Sequence, residues 1–265
     1  MRIKAVIFDW AGTVVDYGSR APVLAFTELF RRHGVAAPPA LTRRFMGSHK
    51  KDHIRLMLED AALRAEWLRV NRADPDIESL YTEFIPIQVE MIARHADVIP
   101  GVPELCKELL SADIRIGSTT GYVRKLMGGL LEAAAANGFS PDCVVCADEV
   151  PAGRPAPWMA LRAAMLMNAW PIAACVKVGD TVADIGEGLN GGMWTVGVTQ
   201  TGNELGLSAE QASALPEKDL ESRLEAARHR FLRAGAHYAI SSVEELIPVL
   251  EEIEARLEVG ARPST

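Results

Sequence analysis

A small set of residues in this chain has the types and spacing to do chemistry. In FDWAGTVV, Asp9 ends an apolar run and Gly12 and Thr13 follow it. A carboxylate exposed at a strand end and held by loop amides can serve as a nucleophile, although an ordinary strand-end aspartate looks the same. Two places on, where a second carboxylate would donate a proton to a departing group, stands Ala11, which has none to give. In VGDTVADI, Asp180 and Asp184 lie four apart, and they share a face if Asp184 has entered a helix. With Asp9 they would crowd negative charge, which a hard divalent cation such as magnesium relieves through oxygen ligands. Asp184 also reads as an acid placed to suit a helix N-terminus. Arg154, in AGRPAPW, offers a planar fork suited to oxyanions. In IGSTTGY, the hydroxyls of Ser118, Thr119 and Thr120 leave the register of a phosphate contact open by one, and any of them could instead cap a helix. HKKDH places Lys50 and Lys51 between His49 and His53. On a helix His53 stands one turn from Lys50, but such a run is also an ordinary solvated face.

These residues need a frame. Short apolar, β-rich runs at 3–8, 114–117, 144–147, 176–178, 193–198 and, more weakly, 238–240 alternate with helix-like segments. That alternation predicts an α/β protein with a doubly wound parallel sheet and helices on both faces. Ligands in such folds bind at the carboxyl ends of the strands, where Asp9, Thr119, Asp148 and Asp180 all fall. From Ser19 to about Val98 the pattern turns helical throughout, so an all-helical cap over 19–98 is expected, inserted into a core of 1–18 and 99–265.

The bulk composition bounds the function. The 265 residues are 49% hydrophobic and 24% charged, as in ordinary globular proteins with a core large enough to fold alone. A net charge of -7 argues against nucleic acid or an anionic membrane and for a small-molecule substrate. Cys143 and Cys146 form a lone Cys-x-x-Cys without the second pair that zinc would want, so CVVCAD reads better as a buried strand. MRIKAVIFDW runs straight into a strand with no signal-peptide pattern, and no apolar run reaches the roughly 18 residues of a spanning helix, so a cytoplasmic location is expected.

Together FDWAGT, GSTTGY, GRPAPW and VGDTVADI resemble the four ordered motifs of the haloacid dehalogenase superfamily, across nearly the whole chain. Ala11 and the segment MGSHKKDHIR narrow the resemblance to the phosphonatase (phosphonoacetaldehyde hydrolase) family. The resemblance implies a Rossmann-like core and a helical cap. It implies hydrolysis of a carbon–phosphorus bond to acetaldehyde and phosphate, with Asp9 as nucleophile through an aspartyl-phosphate. Magnesium would be held by Asp9, Asp180 and the main-chain carbonyl of Ala11, with Asp184 a step outside the direct ligands. Arg154 fills a slot where many relatives carry lysine. Thr119, with Ser118 and Thr120 as rivals, would bind phosphate, while Met46, Gly47 and Tyr122 would line the substrate pocket. Lys50 would condense with the aldehyde, giving an imine that accepts the electrons of the broken bond and so replaces the missing acid at position 11. Neighbouring cations and partial desolvation would lower its pKa from about 10.4, and His53 would shuttle protons. Homodimers joined through the cap are implied as well. Two rivals stand beside this reading: a phosphatase or phosphomutase acting on a phosphate ester, and a non-catalytic binding protein of the same fold.

Overall fold

The computed structural model describes residues 2–263. Six parallel strands form one sheet in the order β3-β2-β1-β4-β5-β6. They are β1 (Ala5–Phe8), β2 (Arg115–Thr120), β3 (Cys143–Cys146), β4 (Cys175–Gly179), β5 (Trp194–Val198) and β6 (Tyr238–Ile240). Strands buried on both faces must be apolar on both, and the alternation of side chains divides them between two cores. Val6 and Phe8 join Ile116, Val178 and Val196 on one face. Ala5 and Ile7 join Val145 and Cys175 on the other. The first face is covered by helices that include α6 (Val102–Ser111), α7 (Arg124–Ala136) and α12 (Leu246–Glu258), and the second by α8 (Trp158–Leu166). CVVC is a strand, and its cysteines are free thiols.

Five of the six strands differ at their ends from the sequence pattern, and two of these differences have visible causes. β1 begins at Ala5 rather than Ile3, whose amide is taken by Glu254 Oε1 at 3.0 Å. β2 runs on to Thr120, because Thr119 and Thr120 pair with Val145 and Cys146 of β3. The second difference matters for the site, since it puts the hydroxyl run inside a strand.

After β1 come α1 (Arg20–Arg32), α2 (Pro39–Arg44), α3 (Lys50–Leu58), α4 (Ala61–Asn71) and α5 (Ile77–Arg94). They bury their own apolar cluster, centred on Phe26, Leu29, Phe30, Ile54, Met57 and Phe84, separate from the sheet's. Asp60 and Asp76 cap α4 and α5 by accepting from backbone amides two and three residues on, each cap contributing about 1 kcal/mol. Two chain segments connect this helical unit to the sheet, and they run side by side. Asp16 N donates to Asp97 O, Ile99 N donates to Val14 O, and Val15 bridges Val98 antiparallel. Asp16 also starts α1, its two carboxylate oxygens accepting from Arg20 N and Ala21 N. No helix is long and apolar enough to cross a membrane among the described residues.

Candidate active site

Three strand ends and one turn of the helical unit meet in a cavity of only about 20 Å³. Asp9 follows β1, Thr120 ends β2, and Asp180 follows β4, with Arg154 beside them; from above come Met46, Gly47 and Lys50. The volume holds about one water molecule, so a substrate can enter only if the helical unit lifts. At Gly47 the two halves touch closely. Its φ is +88°, and a Cβ there would stand 2.7 Å from Thr181 Oγ1, so any side chain would hold the halves apart.

Asp9, expected to be exposed, is 6% exposed because this helical unit covers it. Its Oδ1 lies 2.7 Å from Arg154 Nη1. Burial pushes its carboxyl up, and the guanidinium opposes that rise. Arg154 is also fixed by Glu187 Oε2 at 2.8 Å, Asp184 Oδ1 at 3.2 Å, and the carbonyl and hydroxyl of Thr119. Burial alone would disfavour its charge, but Asp184, Asp9 and Glu187 hold its pKa well above the usual value. Asp184 begins α9 (Val182–Asn190) in a reciprocal cap with Thr181 and accepts from Lys177 Nζ at 2.8 Å. Burial works against its charge too, yet Arg154 and Lys177 keep it below the usual carboxylate range.

Asp180 is different. It makes no ion pair among the described residues, its Oδ2 accepting the Asn203 amide at 2.7 Å. Burial, Asp9 and Asp184 push its carboxyl well above the ordinary value. Oxygens of Asp9, Asp180 and Asp184 lie within 4.8 Å of one another. This all-oxygen donor set, with one carboxylate left uncompensated, fits a hard divalent cation. Asp9 and Asp180 would hold it most directly, since Asp184 is already engaged by Lys177, Thr181 and Arg154.

Lys50 opens α3 and is 4% exposed. Its Nζ sits 5.5 Å from the centre of the Tyr122 ring and 5.9 Å from that of Phe26. Burial brings its pKa down to about 8, with Asp9 opposing and Arg154 assisting. Of the two expected causes desolvation leads, here among rings, and the assisting cation is Arg154 rather than a neighbour in HKKDH. Lys51 points away and pairs with Glu78. His53 is wholly buried on Phe26, with 4.0 Å between ring centres, and does not line the cavity. Its Nε2 donates to Thr42 O at 2.8 Å, its Nδ1 has no hydrogen-bond partner among the described residues, and burial pushes its pKa well below 6.5.

Alternation along β2 turns Thr119 to the face opposite Ser118 and Thr120, and position along the strand separates those two. Ser118 accepts from Trp10 Nε1, and Thr119 is turned to Arg154 and Glu187. Thr120 lines the cavity, with Gly121 and Tyr122. Its Oγ1 accepts the Tyr122 amide at 3.1 Å. Asp148, also at a strand end, accepts from Arg124 N outside the cavity. Glu187 and Lys177 went unsuspected. Their signals were a lysine inside the apolar strand CVKVG and an acid one helical turn after Asp184.

A model of the haloacid dehalogenase-like hydrolase family matches residues 3–192. The phosphonoacetaldehyde hydrolase of Bacillus cytotoxicus is 46% identical over 257 residues, covering 96% of this chain and 97% of that protein. A phosphonoacetaldehyde hydrolase-like protein of Syntrophobacter fumaroxidans is 44% identical over 264 residues, covering 98% and 95%. Among solved structures, a phosphonoacetaldehyde hydrolase-like protein from Oleispira antarctica superposes with a TM-score of 0.97 at 40% identity, over 99% of this chain and 96% of that one. With the Rossmann-like sheet, the helical unit above it and the carboxylate cluster at the strand ends, these similarities show that the chain belongs to the haloacid dehalogenase-like hydrolase family.

Proposed function

We propose that this hydrolase cleaves the carbon–phosphorus bond of phosphonoacetaldehyde, giving acetaldehyde and phosphate. One observation carries the reading: in the cavity where Ala11 stands in place of a proton donor, the helical unit contributes an amine, Lys50, and no carboxylate. An ester phosphatase needs an acid for its leaving alkoxide, and neither half of the site offers one beyond the nucleophile and Asp180.

In this reading residues 19–98 are a lid, and 1–18 with 99–265 are the base. The lid opens, and the neutral Lys50 Nζ adds to the aldehyde carbon. Loss of water gives an imine, which is protonated. Closure sets the phosphonate over Asp9, whose carboxylate oxygen attacks phosphorus. The carbon–phosphorus bond breaks, and its electron pair moves into the iminium, leaving an enamine on Lys50. Protonation at carbon and addition of water return acetaldehyde and the free amine. A second water hydrolyses the aspartyl-phosphate, releasing phosphate and restoring Asp9.

Arg154, fixed by four partners, holds Asp9 in place and faces the phosphoryl oxygens. Thr120, rather than Thr119, supplies the hydroxyl at the phosphate, and Met46, Gly47 and Tyr122 shape the space around the aldehyde. Magnesium, held by Asp9, Asp180 and the Ala11 carbonyl, would neutralise charge between nucleophile and phosphonate. His53, one turn from Lys50 on α3, is packed on Phe26 outside the cavity and would act on Lys50 only through that packing. The enzyme acts in the cytoplasm as a homodimer joined through its caps, a pairing for which exposed Leu24 and Val89 offer apolar surface.

Incubation with phosphonoacetaldehyde and magnesium, followed by borohydride, tests the chemistry. Acetaldehyde, phosphate and a reduced two-carbon adduct mapped to Lys50 by mass spectrometry are expected. Turnover of phosphate esters with no adduct would replace this reading with a phosphatase.

A further inference from the structure

Between lid and base lies a junction that the reaction above does not use. Arg43 sits at the end of α2, just ahead of the Met46–Lys50 turn. Its guanidinium donates to Gly18 O at 3.0 Å, Ser19 O at 3.5 Å, Asn203 Oδ1 at 3.2 Å and Gly206 O at 2.9 Å. Gly206 is required there: its φ is +67°, and a Cβ would lie 2.5 Å from Arg43 Nε. Asn203, 5% exposed, answers by donating its Nδ2 to Arg43 O at 3.2 Å. The same residue's backbone amide donates to Asp180 Oδ2 at 2.7 Å. Its loop is tied to the loop after Asp9 as well, since Thr201 Oγ1 donates to Gly12 O and Gly18 N donates to Thr201 O, both at 2.7 Å.

Every direct acceptor of the Arg43 fork is neutral, and Asp180, Asp16 and Glu204 act on this half-buried cation only without a direct bond, so its hydrogen bonds depend on how the helical unit is seated. The two acceptors on the loop after β5 belong to the base, and the two at Gly18 and Ser19 belong to the linker into α1. A lid that lifts must give up Asn203 and Gly206, and a lid that closes must remake them in this arrangement or leave a guanidinium poorly satisfied.

We propose that Arg43 and Asn203 form a latch that reports lid closure to Asp180. When the lid is down, the reciprocal pair fixes the 201–206 loop, and the Asn203 amide then aims Asp180 Oδ2 at the cavity. When the lid is up, the loop and Asp180 are released together. Both are positioning residues that touch neither substrate nor nucleophile. The proposal rests on the reading of 19–98 as a lid, and it links the arrival of Lys50 to the readiness of the carboxylate cluster.

The test uses the full chain with Arg43→Lys, Asn203→Ala and the double variant. Deuterium exchange without substrate is the first readout. Loss of hydrogen bonds from a charged fork should speed exchange about tenfold or more in 200–207 and in the linkers 15–19 and 95–99, while β1 and β2 stay as protected as in the wild type. Turnover is the second readout. Phosphate release should fall about tenfold to a hundredfold in each single variant and no further in the double, while borohydride still traps substrate on Lys50. Unchanged exchange in Arg43→Lys, an increase spread evenly through the sheet, or single effects that multiply in the double would each overturn the latch. If the wild type does not cleave phosphonoacetaldehyde, the proposed reaction fails, and the exchange data alone still decide the latch.

Discussion

Lys177 and Lys50 are both almost fully out of solvent, 0% and 4% exposed, yet one stands among carboxylates and the other among rings. Lys177, in the sheet, donates to Asp184 Oδ1 at 2.8 Å and to Val178 O at 3.3 Å, with Glu187 Oε2 3.5 Å away. Lys50, in the lid, has the faces of Tyr122 and Phe26 and no ion pair among the described residues. Burial of an ammonium is costly in both places. In the sheet, partners offset the cost and the charge becomes part of a fixed array with Arg154. In the helical unit Asp9 and Asp180 oppose the cost without pairing and burial outweighs them, so the amine is driven towards its neutral form. The same residue type thus gives a structural cation in one region and, in the proposed reaction, a nucleophile in the other. The difference lies in the neighbours rather than in the depth.

Substitution breaks the comparison most sharply at Lys50. Lys50→Arg keeps a cation in the lid but cannot form an imine at neutral pH. Acetaldehyde release should fall on the order of 10⁴-fold or more, the scale on which a covalent catalyst is lost, and borohydride trapping should vanish. Magnesium binding, measured by calorimetry, should persist. Retained turnover would move the amine elsewhere.

The sheet lysine should answer in stability. Lys177→Met leaves Asp184 and Glu187 buried with Arg154 as their remaining cation. Removing one partner of a buried pair costs about 3–5 kcal/mol, and the surviving guanidinium places this variant near the lower end. Urea unfolding at pH 7 would measure it. A neutral result would mean that Lys177 is not needed to compensate those carboxylates.

Lys50→Met should shift stability the other way. A depression from 10.5 to about 8 corresponds to a penalty of about 3 kcal/mol on the folded lysine. The folded pKa lies below the unfolded one, so between pH 8 and 10.5 the unfolded chain binds more protons and wild-type stability rises with pH. Below pH 8 the penalty is fully present. Lys50→Met should therefore be more stable than the wild type at pH 7 by up to that amount, with the gap closing as the pH approaches 10.5. Paired urea titrations at the two pH values check both the sign and the window.

These contrasts also mark what the sequence made readable. The six strands and the helical unit were legible because apolar runs and helical spacing are local signals, and Asp9 and Asp180 were legible because they sit in short motifs at strand ends, Arg154 because of its motif in the loop before α8. The hydroxyl that reaches the cavity was not, since that depends on both the face and the end of β2, which pairing with β3 carries on to Thr120. The burial of Asp9 was missed because the residues that cover it are remote in sequence. Desolvation of Lys50 was legible in outline but its source was not: the rings come from positions 26 and 122, and the assisting cation is Arg154 rather than a neighbour in HKKDH. Glu187 and Lys177 were overlooked because their roles exist only once Arg154 has been brought between strand and helix.

The mildest expected effect is the one that reads Lys50 without altering the protein. Only the neutral amine adds to an aldehyde, so kcat/KM should follow the deprotonated fraction of Lys50 in the free enzyme. With a pKa of about 8, it should climb close to tenfold per pH unit below that value and level off above it. An unperturbed lysine would instead keep the slope running to about 10.4. His53 cannot imitate this limb, because burial holds its pKa well below 6.5 and its titration is over before the rise ends. Replacing Phe26 with Asn sharpens the comparison further. A ring that desolvates the amine becomes a polar group, the pKa of Lys50 should move upward, and the plateau should shift to higher pH along with it. A plateau that stays put would show that something other than burial among rings sets the amine, and the contrast between the two lysines would then need a different cause.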